Sequence, residues 1–151
     1  FNYGVGIKNE KKILNITVNS ASSTINNINK NKEYFKRKKR LLSFGSKKFF
    51  LGTQIIRVVN LSEFLLNKEN KIDILKIDTE GYEFNILNGV HKSDFKKIKY
   101  IYFEHHYDLM IDKKYKFRDI NELLKKNNFS LKFKIRMKFR KAFEYIYESN
   151  E

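Results

Sequence analysis

The chain has 151 residues, 41% hydrophobic and 15% aromatic, enough apolar material for one sizeable core and for one domain at most. Its 32 Lys and Arg against 17 Asp and Glu give a formal charge of +15, and the absence of cysteine excludes disulfides, thiolate zinc sites and cysteine nucleophiles, which fits a cytoplasmic protein. No apolar run approaches the ~20 residues that a membrane-spanning helix needs.

Along the chain, Phe1 to Ile7 and Ile13 to Val18 read as short strands joined by a polar turn, the second alternating through Leu14, Ile16 and Val18. A hairpin or a sheet-edge extension is expected. Gly4-Val5-Gly6 is a G-x-G, but no long apolar strand precedes it, no third glycine follows, and Lys8-Asn9-Glu10-Lys11-Lys12 opens no packed helix, so it does not read as a cofactor loop. From about 20 to 52 the pattern weakens into a basic insert with a helix expected around Lys30 to Leu42. Within it, Lys36-Arg37-Lys38-Lys39-Arg40 is an unbroken cationic run. Such a run suits a non-catalytic module that binds nucleic acid or anionic surfaces, yet Lys and Asn are abundant throughout and no nucleic-acid-binding motif accompanies it, so a solvated insert is the preferred reading and no specific nucleic acid is expected.

Ile55 to Val59 returns to a strand, and Ser62 is placed to cap a helix carrying Phe64 and Leu65. Next, Ile72, Ile74, Leu75 and Ile77 form a β-branched-rich run that stops at Asp78, as a parallel strand covered on both faces does. Tyr82, Ile86 and Leu87 then take helical spacing, with Glu80 and Glu83 expected in the first turn and Gly89 at the stop. Ile98 to Phe103 makes a second apolar strand that ends in acid, at Glu104. If the two strands are parallel neighbours ~4.8 Å apart, Asp78 and Glu104 leave at one rim of the sheet, the crevice where open α/β sheets bind ligands. His105, His106 and Asp108 extend that rim. Phe117 to Asn127 reads as a helix with Ile120, Leu123 and Leu124 on one face. Leu131 to Phe139 alternates apolar with cationic residues, a strand that a second strand from Ala142 to Tyr147 folds back on. Its cationic face reads as edge protection in preference to a phosphate- or glycan-contacting surface.

The segment Leu75-Lys76-Ile77-Asp78-Thr79-Glu80-Gly81-Tyr82-Glu83, with Ile86-Leu87 and Gly89, resembles the K-I-D-x-E-G-x-E signature of the FkbM family of S-adenosylmethionine-dependent methyltransferases. Val59 to Glu63, Ile101 to His105 and the unit around Asn128-Phe129 are similar to the family's flanking elements in the same order. The resemblance implies an α/β, Rossmann-like class I methyltransferase sheet, mostly parallel with an antiparallel terminal strand pair, and S-adenosylmethionine as cofactor. It also implies a glycine-rich cofactor turn that is not found here. The expectation is therefore a single partial domain over residues 1–151, its amino-terminal cofactor half missing and the fragment inactive alone. A sugar or other small-molecule hydroxyl is the implied acceptor.

Methyl transfer to a hydroxyl needs the acceptor held in line and its proton removed. By position Asp78 touches the acceptor or the cofactor's charged end, Glu80 hydrogen-bonds acceptor hydroxyls, and Glu104 or His105 is the base; these four are the expected catalytic residues. Cofactor-binding residues cannot be assigned, and the spacing demands no metal site. The bland alternatives are that Asp78 and Glu80 only cap the helix, that Glu83 serves the dipole or an ion pair, and that of the adjacent histidines one points into the sheet and one outward.

Overall fold

The computed structural model describes residues 2–18, 22–42, 49–66, 71–108, 110–138 and 141–150. Its elements are β1 (Gly4–Gly6), β2 (Glu10–Thr17), α1 (Glu33–Leu42), β3 (Phe50–Asn60), α2 (Leu61–Leu65), β4 (Ile72–Ile77), α3 (Glu83–Asn88), α4 (Lys92–Phe95), β5 (Ile98–His106), α5 (Phe117–Lys126), β6 (Phe129–Arg136) and β7 (Ala142–Ser149).

The described strands form two sheets, ordered β1-β3-β2 and β4-β5-β7-β6. Only β1 with β3 and β4 with β5 pair parallel; β2 with β3, β5 with β7 and β6 with β7 pair antiparallel. The expected mostly parallel sheet is thus a mixed one. In the four-stranded sheet β4, β5 and β6 run the same way, joined by helical crossovers, and β7, which follows β6, lies between β5 and β6, so the pairs it enters are antiparallel. The antiparallel terminal pair is present as β6 and β7. The two amino-terminal strands form no hairpin with each other; both flank β3, which starts at Phe50 and runs well ahead of the expected Ile55.

The core lies on one face of the four-stranded sheet. Ile77, Ile101, Phe103, Tyr145 and Tyr147 pack there against Leu87 of α3, Phe95 of α4 and Ile120 and Leu124 of α5. The apolar stripe expected on Phe117 to Asn127 therefore faces inward. The opposite face and the β6 edge leave Ile74, Phe133 and Ile135 exposed, and Lys132 and Lys134 stand among them. A smaller aromatic cluster of Phe35, Phe49, Met110 and Ile111 anchors α1 and the insert to the segment after β5. The basic run thus lies on an anchored helix, and Lys36, Arg37, Lys39 and Arg40 are exposed there.

Helix α2 is capped by Asn60 and not by Ser62: the Asn60 side chain accepts from the backbone N–H of Ser62 at 2.8 Å and of Glu63 at 3.3 Å. Ser62 instead is buried, its hydroxyl accepting from the His91 N–H at 2.7 Å. Gly89 follows α3 as expected, but its φ of −86° is open to any residue. Glycine is required by packing, because a Cβ there would stand 2.6 Å from the Ile7 Cα.

Candidate active site

Strand β4 meets β5 in register through Ile77 and Phe103, so Asp78 and Glu104, the next residue on each, leave at the same rim. They differ in environment. Asp78 is exposed and lies 3.7 Å from the Lys76 ammonium, a contact of little energetic weight at the surface. Glu104 is buried.

Between β4 and α3 the chain makes a tight loop. Glu80 has φ +50° and Gly81 φ +97°, both in the left-handed region. Glycine at position 81 is doubly required, since a Cβ would also stand 2.7 Å from Ile111 Cγ2. Glu80 is thus not in the helix's first turn as expected. The loop turns its side chain back over the rim, while Thr24 Oγ1 donates to the Glu80 carbonyl at 3.0 Å. Glu83 does open α3, and it fastens the loop: Oε1 accepts from Thr79 Oγ1 at 3.1 Å and from the Gly81 N–H at 2.8 Å, and Oε2 accepts from the buried Tyr115 hydroxyl at 2.5 Å. Burial and the adjacent Glu83 charge push the Tyr115 phenol far up, so it remains a donor.

Three carboxylates converge on one imidazole. His106 Nε2 lies 3.5 Å from Glu80 Oε2 and 3.4 Å from Glu104 Oε1, and Nδ1 lies 3.4 Å from Asp108 Oδ2. Asp108 also accepts from the Met110 N–H at 3.0 Å. Burial alone pushes His106 down, but the Asp108 hydrogen bond and the Glu80 and Glu104 charges outweigh it and hold the group above its ordinary value. Burial raises Asp108, and the same His106 partnership, with the Met110 N–H, more than reverses the effect. Lys113 donates to the His106 carbonyl and is itself lowered by burial. The cluster is nearly closed: the side chain of His106 is 4% exposed, those of Glu80 and Glu104 9% and 10%.

His105 faces the other way. Its ring packs against Tyr107, Tyr115 and Phe117, with Nδ1 lacking a hydrogen-bond partner among the described residues. Burial, followed by the Lys113 and His106 charges, pushes it down to about 3. The structure therefore brings Glu80 and Glu104 together, places Asp78 at the open mouth of the same rim, and separates His105 from them. His106 and Asp108, expected only to extend the rim, stand beside Glu80 and Glu104 instead. The available signal was strand alternation: with Phe103 in the core, His105 shares its face and His106 shares that of Glu104. Among the described residues no group of His, Asp and Glu has the arrangement of a metal site.

Residues 1–131 match the family described as Methyltransferase FkbM domain. The chain belongs to the FkbM methyltransferase family. The family match takes in the whole of the loop from Asp78 to Glu83 and the cluster around His106, and ends within β6. The chain matches no curated protein and no solved structure. Among the described residues no helix is long and apolar enough to cross a membrane.

Proposed function

We propose that this FkbM-family chain is part of a cytoplasmic methyltransferase that methylates a hydroxyl group of a sugar or other small biosynthetic intermediate, with S-adenosylmethionine as the methyl donor. The observation that carries the reading is the convergence of Glu80, Glu104 and Asp108 on His106, at the rim where Asp78 emerges, inside a segment that matches the family.

In this proposal the acceptor hydroxyl is held between Glu80 and Glu104, and its O–H bond breaks as the proton passes to Nε2 of His106. Asp108 on Nδ1 fixes the ring and stabilises the imidazolium that forms, as an orienting carboxylate does. Asp78, exposed at the mouth, orients the acceptor. His106 carries the base role and not His105, whose ring is sealed among aromatic side chains.

S-adenosylmethionine, when bound, supplies an electrophilic methyl group. The described residues fit the acceptor half of this chemistry and not the donor half. Gly4 and Gly6 belong to a packed strand in which a Cβ at Gly6 would stand 2.7 Å from Val58 Cγ1, so they form no open cradle. We therefore assign cofactor contacts to residues outside those described.

The test is transfer of labelled methyl to a panel of sugar hydroxyl acceptors by the full-length protein. Asp78→Ala is expected to abolish turnover with the fold intact; normal turnover would show that Asp78 takes no part in the chemistry. A second reading, a non-catalytic basic module, draws on the exposed cations of α1 and predicts salt-dependent polyanion binding indifferent to Asp78 and Glu104.

A further inference from the structure

The insert between β2 and β3 reads from its composition as a solvated loop, yet part of it is built into the candidate active site. Thr24 is 2% exposed and is hydrogen-bonded through backbone and hydroxyl alike. Its backbone pairs with Asn15 of β2 in an antiparallel bridge, the Asn15 N–H donating to the Thr24 carbonyl at 2.9 Å and the Thr24 N–H to the Asn15 carbonyl at 3.2 Å. Its hydroxyl accepts from the Asn26 N–H at 3.1 Å and donates to the Glu80 carbonyl at 3.0 Å. The Asn15 side chain donates to the Asn26 carbonyl at 3.2 Å, so the strip that carries Thr24 is fastened to β2 on both sides of the hydroxyl.

What Thr24 grips is the strained point of the signature loop. Glu80 is a non-glycine residue at φ +50° and Gly81 follows at +97°, a conformation that persists only where the surroundings hold it. One peptide unit joins the two residues, and both of its polar groups are taken: the oxygen by Thr24, the N–H by Oε1 of Glu83 at 2.8 Å. The Glu83 bond lies within the loop and its helix and moves with them. The Thr24 bond ties the loop to a different sheet. Rotation of that peptide would cost both bonds, and its setting fixes the backbone from which the Glu80 side chain reaches Nε2 of His106 at 3.5 Å. The same strip braces the other arm of the cluster. The Asn27 carbonyl accepts from the Asp112 N–H at 2.9 Å and the Asn29 N–H donates to the Met110 carbonyl at 2.7 Å, just beyond Asp108, the carboxylate at Nδ1.

We infer that Thr24 is a positioning residue of this site: through its hydroxyl the insert locks the Glu80–Gly81 peptide and keeps the Glu80 carboxylate on His106. Its bearing on methyl transfer rests on the proposed function; its effect on Glu80 and His106 does not.

The experiment follows the His106 imidazole by NMR across pH in the 151-residue chain, in Thr24→Val, which keeps the shape and loses the hydroxyl, and in Thr24→Ser, which keeps the hydroxyl. The charged groups around the ring are Glu80 and Glu104 at Nε2, Asp108 at Nδ1 and Lys113 at the His106 carbonyl. Release of Glu80 takes one carboxylate away, so Thr24→Val is expected to weaken proton binding by His106 about threefold and Thr24→Ser to leave it within about 1.5-fold of the parent. In a Glu80→Gln background Thr24→Val is expected to add nothing, because the two act through one contact. In the full-length protein kcat/KM for a hydroxyl acceptor is expected to fall about tenfold in Thr24→Val and to return in Thr24→Ser. Circular dichroism checks folding; should Thr24→Val not fold, Asn15→Ala, which loosens the strip without touching the loop, is read in its place and is expected to shift His106 in the same direction. An unchanged His106 titration in the variant read, or an equal shift with Glu80→Gln present, overturns the inference and leaves Thr24 as a packing residue. A full-length protein that transfers no methyl while Thr24→Val still shifts His106 counts against the proposed function alone. Turnover that needs Glu80 and is indifferent to Thr24→Val counts against this inference alone.

Discussion

Nε2 of His106, at the end of β5, lies 3.5 Å from Oε2 of Glu80, in the loop after β4. The contact closes the gap between two strand ends and joins the family signature to the next strand. The adjacent histidines respond to pH in opposite senses. His106 is held above 6.5, so its stabilising contribution is fully present below pH 6.5 and is lost as pH rises through the higher folded value. His105 is pushed down to about 3, so its contribution is fully present above pH 6.5 and is lost as pH falls toward 3. Denaturant unfolding across pH is expected to show His106→Gln flattening the alkaline limb and His105→Phe flattening the acid limb. A shared effect of both variants on one limb would contradict this assignment.

Glu83 is predicted to be structural in its effect, although it belongs to the signature. Its carboxylate satisfies a hydroxyl, a backbone N–H and the Tyr115 phenol in a buried setting. Glu83→Ala is expected to cost about 2–4 kcal/mol by leaving those donors unpaired, and Tyr115→Phe about 1–2 kcal/mol. Chemical denaturation measures both. A Glu83→Ala protein as stable as the parent would mean that the loop is held by other contacts.

Gly81→Ala separates packing from chemistry. The residue has φ +97°, and the added methyl would press on Ile111 and on the Lys113 stem. The expected loss of stability is about 1–3 kcal/mol, with a loss of activity greater than the unfolded fraction explains, because Glu80 is displaced from His106. Turnover that tracks the folded fraction would place Glu80 outside the chemistry.

A titration of the 151-residue chain with S-adenosylmethionine is expected to show no micromolar binding, because the Gly4-Val5-Gly6 glycines are consumed in packing against β3. Micromolar binding would show that the cofactor is held by residues assigned here only to structure.

The shared rim was legible in the sequence because two apolar runs each end on an acid and are joined by a crossover, which leaves parallel pairing as the direct solution. The antiparallel terminal pair was legible from strict alternation between Leu131 and Arg140. The convergence on His106 was harder to see. It depends on the left-handed conformation of Glu80 and Gly81, which no periodicity reports, and on the choice of face for two adjacent histidines. The helix that carries the basic run was legible, as an element around Lys30 to Leu42, but its anchorage was not: that follows from Phe35 meeting Phe49 and Phe50 across a long stretch of chain. The three-stranded mixed sheet is built on β3, whose polar middle at Gly52, Thr53 and Gln54 obscured a long strand pairing with β2 on one side and β1 on the other.

The most direct test of the account is the pH–rate profile of methyl transfer to a hydroxyl acceptor, measured on the full-length protein and its His106→Gln variant. As a base held above 6.5, His106 predicts that kcat/KM rises with pH through a value higher than that of a free imidazole, and that the variant loses about 100-fold or more together with that limb. An unchanged profile and near-parental turnover in the variant would contradict it.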